Sequence, residues 1–117
     1  MRKKVIVRLP VLGTHCWPDA PDAQAYLRYP HPHEFTFVVE VPVFGDREVE
    51  FHDLRCHLSD EIRHSIADHT EGAGLNFGTM SCEELALAVL RAVSGATAAE
   101  VWEDGVCGAR VEEDDAD

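Results

Sequence analysis

The sequence predicts a single α+β domain with helices packed on one side of an antiparallel sheet. Apolar residues alternate along two segments near the start, two segments of helical period follow, and a hairpin pattern closes the chain. With 117 residues, the chain can form one hydrophobic core but is too short for several domains. We expect the domain to span residues 1–111 and an acidic, disordered tail to cover residues 112–117.

Two strands are predicted in the first part of the chain. From residue 5 to residue 17, apolar side chains recur at every second position, which is the period of a half-buried strand. The segment 34–43 alternates in the same way. The two apolar faces consist of Val5, Val7, Leu9, Val11, Phe35, Phe37, Val39, Val41 and Val43. Residues 18–32 hold four of the six prolines and are therefore predicted to form a loop.

The middle of the chain predicts a turn, a short strand and a helix. Residues 44–47 turn the chain, and residues 48–51 are expected to form a third short strand or a hairpin return. Apolar side chains at every fourth position predict a helix over residues 53–67. Residues 68–80 contain three glycines and are predicted to form a loop.

The last part of the chain predicts a buried helix and a hairpin. Ser81 and Glu84 have the spacing of a capping box, and the apolar run behind them indicates a helix that is buried nearly all round. The segments 98–103 and 106–111 flank an Asp-Gly dipeptide, which is a strong signal for a β-hairpin.

The charge balance excludes several functional classes. Acids outnumber bases by 22 to 10, and the net charge of −12 argues against binding to nucleic acid or to an anionic membrane surface. No segment approaches the roughly 20 apolar residues that a membrane-spanning helix needs. The basic first four residues precede an apolar run that Arg8 and Pro10 interrupt, which does not fit a secretory signal. We therefore expect a cytoplasmic protein.

The histidines give the strongest indication of chemistry. The four cysteines are too widely spaced for a zinc knuckle and are expected to be buried free thiols. His31 and His33 lie two residues apart at the start of a strand, so their side chains point to one face about 7 Å apart. His15 ends the first strand on the apolar parity and can reach the same point if the strands pair. Three histidines leave a fourth coordination position open, which is the arrangement of a catalytic Zn²⁺ site.

Short motifs recur in order along most of the chain. They are His31-Pro32-His33 before a strand, residues 49–55 (VEFHDLR), Asp68-His69 followed by Leu75-Asn76, residues 81–86 (SCEELA), and Val101-Trp102-Glu103. Over residues 5–112 this order resembles the 6-pyruvoyl-tetrahydropterin synthase family and its queuosine-pathway relative, 6-carboxytetrahydropterin synthase.

The resemblance implies a tunnelling fold (T-fold), in which an antiparallel four-stranded sheet carries two helices on one face. It implies that oligomerisation completes a barrel in a homotrimer or homohexamer, with the sites between subunits. It also implies a zinc-dependent lyase acting on dihydroneopterin triphosphate or a related reduced pterin. By this resemblance His15, His31 and His33 hold Zn²⁺, Asp68 and His69 relay protons, and Glu103 binds the pterin.

One position departs from the family pattern. Leu27 stands where the family has the cysteine that serves as base, and a leucine cannot accept a proton. Cys16, Tyr26 and Tyr29 are the candidates to replace it. The alternative is a catalytically diverged member that serves as a metal- and pterin-binding or protein-interaction module; opening of a purine ring by the same fold has no support from individual residues.

A triphosphate substrate would need local cations in so acidic a chain. Arg28, Arg47 and Arg55 are the candidates.

Overall fold

The computed structural model describes residues 1–69 and 74–114 as one α+β unit. In chain order its regular elements are β1 (Lys3–His15), β2 (His31–Val43), α1 (Phe51–Glu61), β3 (Asp68–His69), β4 (Leu75–Asn76), α2 (Cys82–Ala92), β5 (Ala98–Glu103) and β6 (Cys107–Glu112). A short 3₁₀ helix, Asp22–Leu27, lies between β1 and β2, and a π-helical turn, Ile62–Ile66, continues α1.

The strands form one sheet in the order β3-β4-β1-β2-β5-β6. The four long strands pair antiparallel, as the sequence predicts. β1 and β2 pair over their full length, from Lys3 opposite Val43 to His15 opposite His31. The two-residue strands β3 and β4 extend the sheet beyond β1, and β4 runs parallel to β1. The α+β class and the helix-covered antiparallel sheet are therefore confirmed.

The core lies between the helices and one face of the sheet. The alternating residues of β1 and β2 that the sequence assigns to this face are buried except for Val5 and Val43, which are half-buried at the far end of the strand pair. Leu58 of α1 and Val89 of α2 are also buried. Phe35 and Phe37 are fully buried at its centre, where both pack against Phe77. Burial of large apolar side chains supplies most of the free energy that favours folding.

Two expectations about local structure are wrong. Residues 48–51 do not form a strand: Arg47 takes a left-handed turn conformation with φ of 58°, and α1 begins at Phe51. The carboxylate of Glu50 accepts a hydrogen bond from the backbone N–H of His52 and so caps the helix. The loop predicted over residues 68–80 contains β3 and β4, whose pairing depends on contact with β1 rather than on local sequence.

The C-terminal end of the regular structure lies beyond the domain boundary predicted at residue 111. β6 continues through Glu112, and the backbone N–H of Glu113 donates to the carbonyl of Thr97, so ordered structure extends past residue 111. The remainder of the predicted acidic tail, residues 115–117, lies outside the described residues. All four cysteines are free thiols, as expected, but they are not buried as predicted: Cys56 and Cys107 are exposed, and Cys16 and Cys82 are half-buried. Within the described ranges, no helix has the length and apolar character needed to cross a membrane.

Candidate metal centre

The pairing of β1 with β2 brings three histidines together at one end of the sheet. His15 lies opposite His31, and His33 follows two residues later on the same face. The ring centroids are 4.6 Å apart for His15 and His31, 5.4 Å for His15 and His33, and 5.0 Å for His31 and His33. One ring nitrogen from each lies within 4.8 Å of the others. The sequence-predicted ligand set is therefore assembled by strand pairing alone.

Each of the three rings is oriented by an oxygen acceptor at Nδ1. The contacts are His15 Nδ1 to the Met80 carbonyl at 2.9 Å, His31 Nδ1 to the Tyr29 carbonyl at 2.9 Å, and His33 Nδ1 to Asp104 Oδ2 at 2.8 Å. Such acceptors require the proton on Nδ1, which leaves the Nε2 lone pair of a neutral imidazole for a metal. His33 Nε2 is buried and has no hydrogen-bond partner in the structure. This donor set fits Zn²⁺.

Asp104 is a candidate site residue that could not be recognised in the sequence, where the Asp-Gly pair was interpreted only as a turn. Its carboxylate accepts from His33 Nδ1 and, at 2.9 Å, from the backbone N–H of Glu34. These two hydrogen bonds, the one from His33 foremost, lower the pKa of Asp104. Glu103 pairs with Phe35, and this pairing places the Asp-Gly turn beside Glu34. The register between β2 and β5 is therefore the signal that could have identified Asp104.

Asp104→Asn is expected to weaken zinc binding by about 10- to 100-fold, the usual cost of removing an outer partner of a metal-binding histidine. An asparagine tolerates the left-handed φ of 54° at this position, but its carbonyl can accept only one of the two hydrogen bonds. A competition titration with a chromophoric chelator measures the effect. Asp46→Asn, an exposed turn residue at the other end of the sheet, is the control; equal affinities for both variants would contradict the positioning role.

Glu103 lies directly beside the histidines. Its Oε1 is 2.9 Å from His15 Nε2 and its Oε2 is 3.7 Å from His33 Nε2. Burial of Cys82, the first residue of α2, and the neighbouring Glu103 carboxylate raise the pKa of its thiol to about 12. Cys82 is therefore protonated at neutral pH. The spacing of the motifs gave no indication that this thiol would reach Glu103.

A cavity of about 430 Å³ adjoins the histidine cluster. Its walls include His15, His31, Glu103, Cys82, Trp17 and Leu27. Leu27, the position that departs from the family pattern, thus faces the same cavity as the candidate metal ligands. Cys16 also lines it, whereas Tyr26 and Tyr29 have large exposed fractions.

The structure places Asp68, the first residue of the predicted proton-relay pair, away from the cluster within one chain. Asp68 pairs with Asn76, which in turn pairs with Thr14, so strand alternation puts Asp68 on the sheet face opposite to that of His15. The backbone of His69 pairs with that of Leu75. The roles of Asp68 and His69 stay predictions.

No protein-family model and no curated protein matches the sequence. Among solved structures, the chain is similar to 6-pyruvoyl tetrahydropterin synthase from Caenorhabditis elegans, with a TM-score of 0.66, 10% identity and 97% of each chain covered. It is also similar to an uncharacterized protein from Wolinella succinogenes, with a TM-score of 0.62, 14% identity, and coverage of 97% of this chain and 99% of that one. The fold that the sequence motifs imply is therefore confirmed: the chain has the T-fold of 6-pyruvoyl tetrahydropterin synthase.

Proposed function

We propose that this chain is a cytoplasmic zinc-dependent lyase that acts on a reduced pterin. The observation that carries the proposal is the convergence of His15, His31 and His33, each with Nδ1 held by an oxygen acceptor, together with a buried Nε2 on His33 that has no hydrogen-bond partner. Zn²⁺ bound there would supply Lewis-acid polarisation of a hydroxyl or carbonyl oxygen. The adjoining cavity gives a small heterocycle access to the cluster.

Glu103 is the residue that we assign to recognition of the pterin ring. The guanidine-like edge of a pterin presents two N–H donors, and a carboxylate can accept both. Glu103 lines the cavity and lies 2.9 Å from His15. A pterin ring bound to Glu103 would therefore hold the substituent of the pterin beside the candidate metal ligands. This placement supports an orienting role for Glu103 rather than a role in the hairpin alone.

Oligomerisation to a homotrimer or homohexamer is part of the proposal. The sheet face that the described helices leave uncovered carries exposed apolar residues, with Ile6 at 53% and Leu12 at 66% exposure. Assembly into a barrel would bury such side chains. It would also allow Asp68 to reach the cavity of a neighbouring copy, since Asp68 lies on the face opposite to its own histidine cluster.

A second candidate function is a metal- and pterin-binding module without turnover. Leu27 at the cavity favours it, because a leucine cannot accept a proton. Incubation of the zinc-loaded protein with dihydroneopterin and its phosphorylated forms, followed by analysis of the products, separates the two functions. Product formation supports the lyase, whereas zinc and pterin binding with no product supports the module.

Glu103→Gln is expected to weaken binding of a reduced pterin by about 10- to 100-fold, the effect of losing a charge-assisted hydrogen bond. Zinc content should stay at that of the unmodified protein. Fluorescence titration of the pterin and metal analysis of the same sample measure both quantities. Glu34→Gln, on the opposite face of β2, is the matched control. Loss of zinc with Glu103→Gln would instead identify Glu103 as a metal ligand.

A further inference from the structure

Basic side chains gather at the end of the sheet that lies opposite to the histidine cluster. A second cavity, of about 740 Å³, lies there at the start of β1. The charged residues in its walls are Lys3, Lys4, Asp46, Arg47 and Glu50. With Arg2, the neighbour of Lys3 in the sequence, four of the ten basic residues are found at this end. In a chain of net charge −12, this concentration of cations favours contact with an acidic partner.

The most acidic part of the chain leaves the sheet at the same end. Through the pairing of successive strands, Glu112 of β6 lies level with Ile6 of β1. Residues 112–117, which we call the acidic segment, carry five carboxylates, and the structure describes the first three of these residues. The basic cavity and the acidic segment therefore lie at the same level of the sheet.

Within one chain, two strands separate the acidic segment from the basic cavity. The sheet order places β2 and β5 between β1 and β6. Neighbouring strands lie about 4.8 Å apart, so three strand spacings put Glu112 about 14 Å from β1. The acidic segment of a chain thus starts at the edge of the sheet that is far from its own cavity.

The edges of β1 and β6 allow a second copy to bring the two features together. Among the described residues, β1 pairs on the side away from β2 only through Gly13 and Thr14, so residues 3–11 offer an open edge. β6 is the outermost strand on the other side and pairs with β5. β1 and β6 run in opposite directions, so β6 of a second copy beside β1 continues the antiparallel order. With the sheet ends aligned, its acidic segment then lies at the cavity.

We propose that the acidic segment of one copy docks on the basic cavity of a second copy, where its carboxylates pair with Lys3, Lys4 and Arg47. Ile6 and Phe51 also line this cavity and are exposed, so they supply apolar contact beside the ion pairs. The inference rests on the assembly that is part of the proposed function, and it is independent of zinc and pterin. It names the surfaces through which neighbouring copies recognise each other.

Cross-linking between isotope-labelled copies tests this contact. Unlabelled full chains and full chains labelled with heavy nitrogen are assembled together, and native mass spectrometry establishes that the assemblies contain both. A carbodiimide then joins lysine amines to carboxylates in direct contact. We expect peptides that join Lys3 or Lys4 of a light chain to residues 112–117 of a heavy chain. Lys4 lies 3.5 Å from Glu40 of its own chain, so a cross-link between these two, with one isotope only, is the internal control.

The outcomes separate the docking contact from the assembly on which it rests. In mixed assemblies that give the control cross-link, the inference is overturned if the lysines of the cavity join only to the acidic segment of their own chain. It is also overturned if they do not join to the acidic segment at all, and in both cases the proposed assembly still stands. A chain that stays monomeric overturns the assembly and the docking contact together.

Charge reversal tests the electrostatic cause of docking. Lys3→Glu and Asp114→Lys are each expected to raise the dissociation constant of the assembly by about 2- to 5-fold, the effect of an exposed ion pair. The double variant should recover most of the loss, because it restores opposite charges across the interface. Arg55→Glu, at an exposed position of α1 outside the cavity, is the matched control, and sedimentation measures all four proteins. Additive weakening in the double variant, or an equal effect of Arg55→Glu, would contradict the inference.

Discussion

Replacement of His33 by alanine is expected to weaken zinc binding by more than about 100-fold, which exceeds the loss caused by removing an outer hydrogen-bond partner alone. His33 offers a buried Nε2 without a hydrogen-bond partner, and its Nδ1 is held by Asp104 at 2.8 Å. Its loss would leave two imidazoles, which are too few for a stable tetrahedral zinc site. The dissociation constant can be measured by competition with a chelator, and zinc content by metal analysis of the purified protein.

His52→Ala is the matched control for this experiment, because the His52 side chain is 88% exposed and lies on α1. It should bind zinc as the unmodified chain does. Thermal unfolding gives an independent measurement, since a metal that binds only the folded state raises the unfolding temperature. Zinc should stabilise the unmodified protein and His52→Ala, but not His33→Ala. Equal stabilisation of all three proteins would show that the metal binds somewhere else.

The histidine cluster was predictable from sequence because it follows from strand alternation. His31 and His33 share the parity of Phe35, and His15 shares the parity of the apolar residues of β1, so pairing of the strands at this end brings all three rings together. Only the register was unknown from the sequence. The structure supplies it by pairing His15 with His31.

The parts of the site that were not predictable depend on contacts between distant segments. Asp104 reaches His33 across the sheet, and Cys82 reaches Glu103 from the start of α2. Neither contact leaves a local pattern in the sequence. The wrong strand over residues 48–51 has a related cause: its apolar and acidic residues suit a strand, but the Glu50 cap starts a helix instead.

The hydrophobic core and the histidine cluster meet at Phe35. Its ring contacts the rings of His15 and His33 edge to face, with centroid distances of 5.1 and 5.6 Å, and contacts Phe77 at 5.0 Å. Phe37 is equally buried and packs on Phe77 at 5.6 Å, but it lies about 7 Å further along the strand from the histidines. The two phenylalanines therefore differ in their contact with the site more than in their burial.

Phe35→Ala and Phe37→Ala are each expected to lower the free energy of unfolding by about 3–5 kcal/mol, the usual cost of removing a buried aromatic ring. Only Phe35→Ala should also weaken zinc binding, because the cavity it leaves allows the His15 and His33 rings to rotate out of their shared orientation. Denaturant unfolding measures stability, and chelator competition measures zinc affinity. If the alanine variants do not fold, Phe35→Leu and Phe37→Leu repeat the comparison with a smaller loss of volume.

If the Phe35 and Phe37 variants with the same replacement residue lose zinc affinity equally, this argument is contradicted. Zinc binding would then follow the global stability of the protein rather than the local support of the histidine rings. Unchanged affinity in Phe35→Leu, with stability lowered, would show that the Nδ1 hydrogen bonds suffice to orient His15 and His33. The expected result is intermediate stability in both variants and weakened zinc binding in one. It would assign Phe35 a positioning role that its place in the apolar core does not by itself reveal.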